Sequence, residues 1–120
     1  MYEEELTYKI RGAVFEVYRQ LGHGLLENVY QKALMYELIT QGLAVKYEAP
    51  LIVHYKGQEV GEFRADLIVE DKVLLELKAQ TRLHPSSEAQ VINYLKITGL
   101  SIGLLINFSW PKASVKRITF

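Results

Sequence analysis

The chain has 120 residues, with 14 basic and 14 acidic side chains, no cysteine, 49% hydrophobic residues and 23% charged residues. That length supports one hydrophobic core, so one domain over residues 1–120 is expected, and that composition excludes a disordered chain. Without cysteine there are no disulfides, zinc–cysteine sites or iron–sulfur clusters, and balanced charge excludes a strong overall positive field while leaving room for a local basic groove.

The start, Met1-Tyr2-Glu3-Glu4-Glu5, is acidic where a signal peptide is basic and then apolar. No apolar run approaches the ~20 residues that span a bilayer. A cytoplasmic location with no membrane partner is therefore expected. From Leu6 to Leu21, Ile10, Val14, Phe15, Val17, Tyr18 and Leu21 recur at three- and four-residue steps and predict a helix with one buried face. Gly22-His23-Gly24 breaks it. A second helix is predicted over Leu26 to Gln41, with Val29, Tyr30, Ala33, Leu34, Tyr36 and Leu38 as core candidates and Gly42 as its stop.

The hydrophobic period then changes to two. Val45 to Tyr55 and Glu59 to Val69 read as strands joined by a turn at Lys56-Gly57-Gln58, with Pro50 marking an edge position or a bulge. A third strand, Val73 to Ala79, follows the turn Glu70-Asp71-Lys72. After His84-Pro85-Ser86, Ser87 to Thr98 is helical, with a serine as cap candidate and Gly99 as the stop. Ser101 to Phe108 is almost wholly apolar, as in a strand covered on both faces, and Val115 to Phe120 closes the chain as a final strand. The order helix–helix–strand–strand–strand–helix–strand–strand places a crossover helix between the third and fourth strands. It predicts an α/β or α+β domain with a mixed β-sheet flanked by helices.

Charge falls where the pattern should be apolar. Alternation puts Leu74, Glu76 and Lys78 on one face of the third strand, and Arg64, Asp66 and Ile68 on one face of the second, opposite Phe63, Ala65, Leu67 and Val69. If Glu70-Asp71-Lys72 is a three-residue hairpin loop, residues whose numbers sum to 142 face one another, and Asp66 lies opposite Glu76. Facing carboxylates repel. A divalent cation between them, Mg²⁺ or Mn²⁺ for oxygen ligands of this kind, would remove the conflict. On pattern alone the alternative is a one-sided sheet with Glu76 and Lys78 facing solvent and Asp66 paired to Arg64 or Lys78. Two features add weight to the metal reading: Gln90 and Tyr94 share a helix face four residues apart, and Glu27 opens the second helix where the dipole favours an acid.

These residues, in this order, resemble the PD-(D/E)XK nuclease superfamily and, more closely, its small GxxExxY branch. The branch motif stands here as Gly24-Leu25-Leu26-Glu27-Asn28-Val29-Tyr30. Phe63-Arg64-Ala65-Asp66-Leu67-Ile68-Val69 resembles the Asp strand, and Glu76-Leu77-Lys78-Ala79 the E-x-K strand. Gln90-Val91-Ile92-Asn93-Tyr94-Leu95 is similar to the Q-x-x-x-Y helix of RecB-like nucleases, and Gly103-Leu104-Leu105-Ile106-Asn107-Phe108 to the final core strand of the branch. The resemblance implies a restriction-endonuclease-like core and a metal-dependent nuclease acting on DNA or RNA. Asp66, Glu76 and the main-chain carbonyl of Leu77 would hold Mg²⁺ or Mn²⁺. Lys78 would orient or activate water, Glu27 would be a further acidic ligand or stand behind the ligands, and Gln90 with Tyr94 would brace the site or touch substrate.

Arg64, Arg82, Lys96, Lys112 and Arg117 are candidate phosphate contacts. His23, His54 and His84 lack metal-ligand spacing and read as structural or surface residues. Trp110, beside Pro111, is either a base-stacking platform or, as a lone tryptophan usually is, a packing residue. Neutral charge keeps a rival alive: a non-catalytic module of nuclease fold that binds nucleic acid or a protein partner. A homodimer or a subunit of a larger assembly is a further alternative, since so small a core has little surface for recognition.

Overall fold

In the computed structural model, which describes residues 3–120 and leaves Met1 and Tyr2 outside the described residues, the apolar pattern resolves into three layers. Helices α1 (Glu3–Leu21) and α2 (Glu27–Thr40) cover one face of a five-stranded sheet, and α3 (Ser86–Thr98) covers the other. The strands β1 (Val45–Tyr55), β2 (Gln58–Val69), β3 (Val73–Lys78), β4 (Ile102–Phe108) and β5 (Ala113–Thr119) lie side by side in chain order. Only β3 and β4 run parallel, because α3 carries the chain back between them. The expected element order and mixed sheet are both present.

Turn chemistry sets the registers. Lys56 and Gly57, at φ 49° and 80°, form a two-residue turn from Tyr55 to Gln58. Positive φ at both central positions matches the twist of paired strands. The turn is one residue shorter than expected, since Gln58 joins β2. Glu70-Asp71-Lys72 is the three-residue connection expected, and Val69–Val73, Ile68–Leu74 and Leu67–Leu75 keep the register summing to 142. Gly42, at φ 82°, ends α2: its N–H reaches Ile39 O (2.9 Å) and that of Leu43 reaches Leu38 O (3.2 Å).

Three expectations need correction. No serine caps α3; the Nδ1 of His84 accepts the Ser86 N–H (3.1 Å) in its place. Pro50 does sit on the edge strand, as expected, and a bulge elsewhere in it lies at Val53 and His54, opposite Val60. The final strand begins at Ala113 and ends at Thr119. The helix faces also differ. The α1 stripe is Leu6, Ile10, Ala13, Val14 and Val17, while Phe15 is 50% exposed and Leu21 is exposed too. Phe15 lies one step of about 100° beyond Val14, enough to leave the seam. In α2, Tyr30, Gln31, Leu34 and Leu38 face inward, and Val29 and Tyr36 face out. Among the described residues no helix is long and apolar enough to cross a membrane.

All seven residues of β4 are buried, as expected for a strand covered on both faces. At Gly103 α3 comes close to the strand, since a Cβ there would sit 2.5 Å from Val91 Cγ1. Gly103→Ala should therefore cost about 1–3 kcal/mol of stability by overpacking. Gly12→Ala, in mid-helix with nothing within 4 Å of the added carbon, should gain roughly 0.5–1 kcal/mol. Urea denaturation of both variants checks this, and equal effects would contradict it.

Candidate metal centre

The alternation of β1 and β2 reverses at one residue in each. Val45 and Tyr47 pack with Leu67 and Val69 on the α1–α2 side, whereas Ala49, Leu51 and Ala65 pack on the α3 side. The register sum of 114 continues across the break, from Tyr47–Leu67 to Ala49–Ala65, so one residue in each strand, Glu48 and Asp66, absorbs the reversal. Glu48 does so with a left-handed backbone at φ 48°, which costs a non-glycine residue energy. Ile68 and Ala65 consequently share the α3 side, although strict alternation would separate them.

The same break ends the pairing of β2 with β3. Leu67–Leu75 is the last rung, and the rung expected between Asp66 and Glu76 is not formed by the backbone. Each acid instead replaces a rung with its side chain. The Asp66 N–H donates to Glu76 Oε1 (3.0 Å), and the Leu77 N–H donates to Asp66 Oδ2 (2.7 Å). The remaining polar group, the Asp66 carbonyl, accepts from Gln31 Nε2 of α2 (3.2 Å). Buried amides must find partners, and these two carboxylates supply them.

Burial makes both charges costly. It pushes the Glu76 carboxyl up to about 8, with the Asp66 charge and Glu27 adding to the rise while the Asp66 N–H and Lys78 oppose it. Asp66 is pushed up to about 6, again first by burial and then by Glu27 and Glu48, against the Leu77 N–H and Lys78. Four acids thus bear on one patch, with Lys78 as the cation that answers them. Lys78 is half-buried and makes no ion pair with either acid, and Arg64 lies 3.9 Å from Glu62 instead. The pairing of Asp66 with Arg64 or Lys78 is therefore absent, and Glu76, only 4% exposed, does not face solvent.

Neighbouring elements fix the approach. Glu27 and Gln31 are four residues apart on one face of α2, so the Gln31–Asp66 bond holds exposed Glu27 over the acids. Tyr30 sets the helix start: its hydroxyl donates to Gly22 O (2.7 Å) and accepts the Leu25 N–H (3.2 Å), and its ring stacks on Phe108 at 4.4 Å. Beyond Lys78, Asn107 grips Gln80 through both its N–H (2.9 Å) and its carbonyl (2.8 Å). On α3, Gln90 Nε2 donates to Tyr94 Oη (3.1 Å). Burial raises the Tyr94 hydroxyl, and Glu76 and Asp66 add to that rise, so Tyr94 feels both acids.

Sequence reasoning missed Glu48, Gln31 and Asn107. A glutamate in left-handed backbone has no compositional mark, and two amides read as ordinary polar residues. Trp110, for which packing was favoured, is 69% exposed and meets His23 only edge-on at 6.5 Å. A cavity of about 620 Å³ lies between β1 and α3 beside Pro50 and Leu100. It is lined by none of the acids just described, so chemistry rather than concavity marks this site.

Comparisons agree with the geometry. A family profile described as the PD-(D/E)XK nuclease superfamily matches residues 4–118. Among solved structures, SSO0001 superposes with a TM-score of 0.61 at 17% identity, over 78% of this chain and 50% of that one. An alkaline exonuclease (LHK-Exo) from Laribacter hongkongensis gives 0.54 at 17% identity, over 77% of this chain and 55% of that one. The chain spans about half the length of these structures, and the likeness shows a common restriction-endonuclease-like fold. No curated protein matches it.

The raised carboxyls have a measurable consequence. A group whose pKa is higher folded than unfolded stabilises the fold below its unfolded value and loses that contribution as pH rises through the folded one. For Asp66 and Glu76 the window runs from their ordinary values of 3.8 and 4.5 up to about 6 and about 8. The urea midpoint of the metal-free protein should fall across that window, and Glu76→Gln should flatten its upper half. A midpoint that rises instead would contradict this assignment.

Proposed function

Since the chain belongs to the PD-(D/E)XK nuclease superfamily, we propose that it is a divalent-cation-dependent nuclease of the GxxExxY branch, hydrolysing DNA or RNA in the cytoplasm. The observation that carries this reading is the pair Asp66 and Glu76, buried together and each held by a backbone N–H of the other's strand. Charge concentrated there at such cost suits a hard cation. Among the described residues no three carboxylate or imidazole groups come together closely enough to hold a metal by themselves. One or two carboxylates completed by water and phosphate oxygen is the set that Mg²⁺ favours. Asp66, Glu76 and the Leu77 carbonyl are the proposed ligands, with Mn²⁺ as the substitute ion and Glu27 reaching in from α2.

When bound, such an ion polarises the scissile phosphate and lowers the pKa of a water. The rest falls to side chains. The two backbone donors orient Asp66 and Glu76 before any ligand arrives, so little reorganisation is needed. Lys78 supplies fixed positive charge where negative charge grows on the phosphate, and it orients the attacking water. The bonded Gln90–Tyr94 pair lies on the α3 side, where Tyr94 feels both acids, and would brace the site or touch substrate there.

Neutral net charge favours a second reading, a non-catalytic module that binds nucleic acid or a protein partner within a larger assembly or homodimer. One assay separates the two. Single- and double-stranded DNA and RNA are incubated with the wild type, Asp66→Ala and Lys78→Ala, in Mg²⁺, Mn²⁺ or EDTA. The expected outcome is metal-dependent cleavage that falls roughly 10²- to 10³-fold or more in each variant. Binding without cleavage in every condition, equal in the variants, supports the module instead.

A further inference from the structure

Trp110 is the only tryptophan in the chain, and it lies on the surface beside a slot of about 160 Å³ that the acids do not occupy. Gly24 and His23 form one wall, and Ala79 and Gln80 form the other. Along the chain its lining adjoins both parts of the candidate centre: Ala79 directly follows Lys78, and Gly24 stands three residues before Glu27.

Its walls are held while Trp110 itself stays exposed. Tyr18 Oη donates to Ser109 O at 2.6 Å, next to Trp110, and Asn107 grips Gln80 in both directions. Tyr30 ties the glycine loop to the core through its bond to Gly22 O. Two exposed cations flank the slot in sequence, Arg82 and Lys112, and neither makes an ion pair among the described residues. An exposed aromatic ring on a braced loop, with exposed cations outside any ion pair close by in the chain, is the composition of a site that stacks a base and follows its backbone.

We propose that the Trp110–His23 slot is a nucleobase-stacking subsite, taking an unpaired base next to the phosphate that enters the Asp66–Glu76–Lys78 centre. Inside a duplex both faces of a base are covered by its neighbours, so Trp110 can stack only on a base that is unpaired or terminal. The substrate class that follows is a single strand or a duplex with a frayed end. This rests on the nuclease reading for its chemistry, but the stacking itself is tested without cleavage.

Indole emission reports on this slot alone, because no second tryptophan is present. The full chain in EDTA is titrated with a short labelled single strand, and separately with a blunt duplex of the same sequence, following both Trp110 emission and label anisotropy. Emission should be quenched in step with anisotropy for the single strand and less so for the duplex. Trp110→Ala should bind the strand roughly 5- to 150-fold more weakly, and Trp110→Phe should restore most of the affinity. Strand binding that leaves Trp110 emission unchanged, equal affinity in Trp110→Ala, or no strand binding at all would overturn the subsite. Cleavage in Mn²⁺ is scored separately: cleavage with silent emission sinks the subsite and spares the nuclease reading, and quenching without cleavage does the reverse.

Discussion

Strands β2 and β3 stop pairing after Leu67 and Leu75, and the next amides would be orphans but for two carboxylates. Asp66 takes the N–H of Leu77, and Glu76 takes the N–H of Asp66. These crossed bonds make the candidate centre a structural part of the sheet. Removing either acid leaves a buried donor unmet, at a cost of about 1–3 kcal/mol. The third polar group of that junction, the Asp66 carbonyl, binds Gln31 and so ties the helical layer to the same point. Position and charge at this junction are thus settled by one set of bonds.

The electrostatics follow from the packing. A sheet covered on both faces offers little water to a charge, and burial is the largest influence on both acids. Glu27, at a helix start, adds to the rise of both acids, and Glu48, a left-handed residue in the edge strand, adds to that of Asp66. Lys78 alone does not balance four acids. The proposed cation would supply the missing charge, and the slot beside Trp110 is the proposed resting place for a base of the bound strand.

Much of the architecture was legible in the sequence because it depends on period and turn chemistry. Gly42 and Gly99 stop their helices, Glu70-Asp71-Lys72 sets the hairpin register, and the almost wholly apolar run of β4 marks a strand buried on both faces. Helix faces were less legible. Phe15 and Tyr36 are apolar enough for the core, and only tertiary packing decides that Ala13 and Gln31 go inward in their stead. The parity reversal at Glu48 and Asp66 was hidden, since period-two reading assumes that alternation persists. It is also why the acids meet through backbone amides and not face to face. Trp110 was misjudged because rarity of type suggested packing, whereas its place on a surface loop decides otherwise.

The central claim is that the clasped acids Asp66 and Glu76 bind one divalent ion. Calorimetric titration of Mn²⁺ into the wild type, Asp66→Asn and Glu76→Gln tests it most directly, with circular dichroism confirming that each variant is folded. The account predicts one site in the wild type and its loss in both folded variants. Absence of binding to the wild type, or binding that persists unchanged when either acid is neutralised, would contradict it.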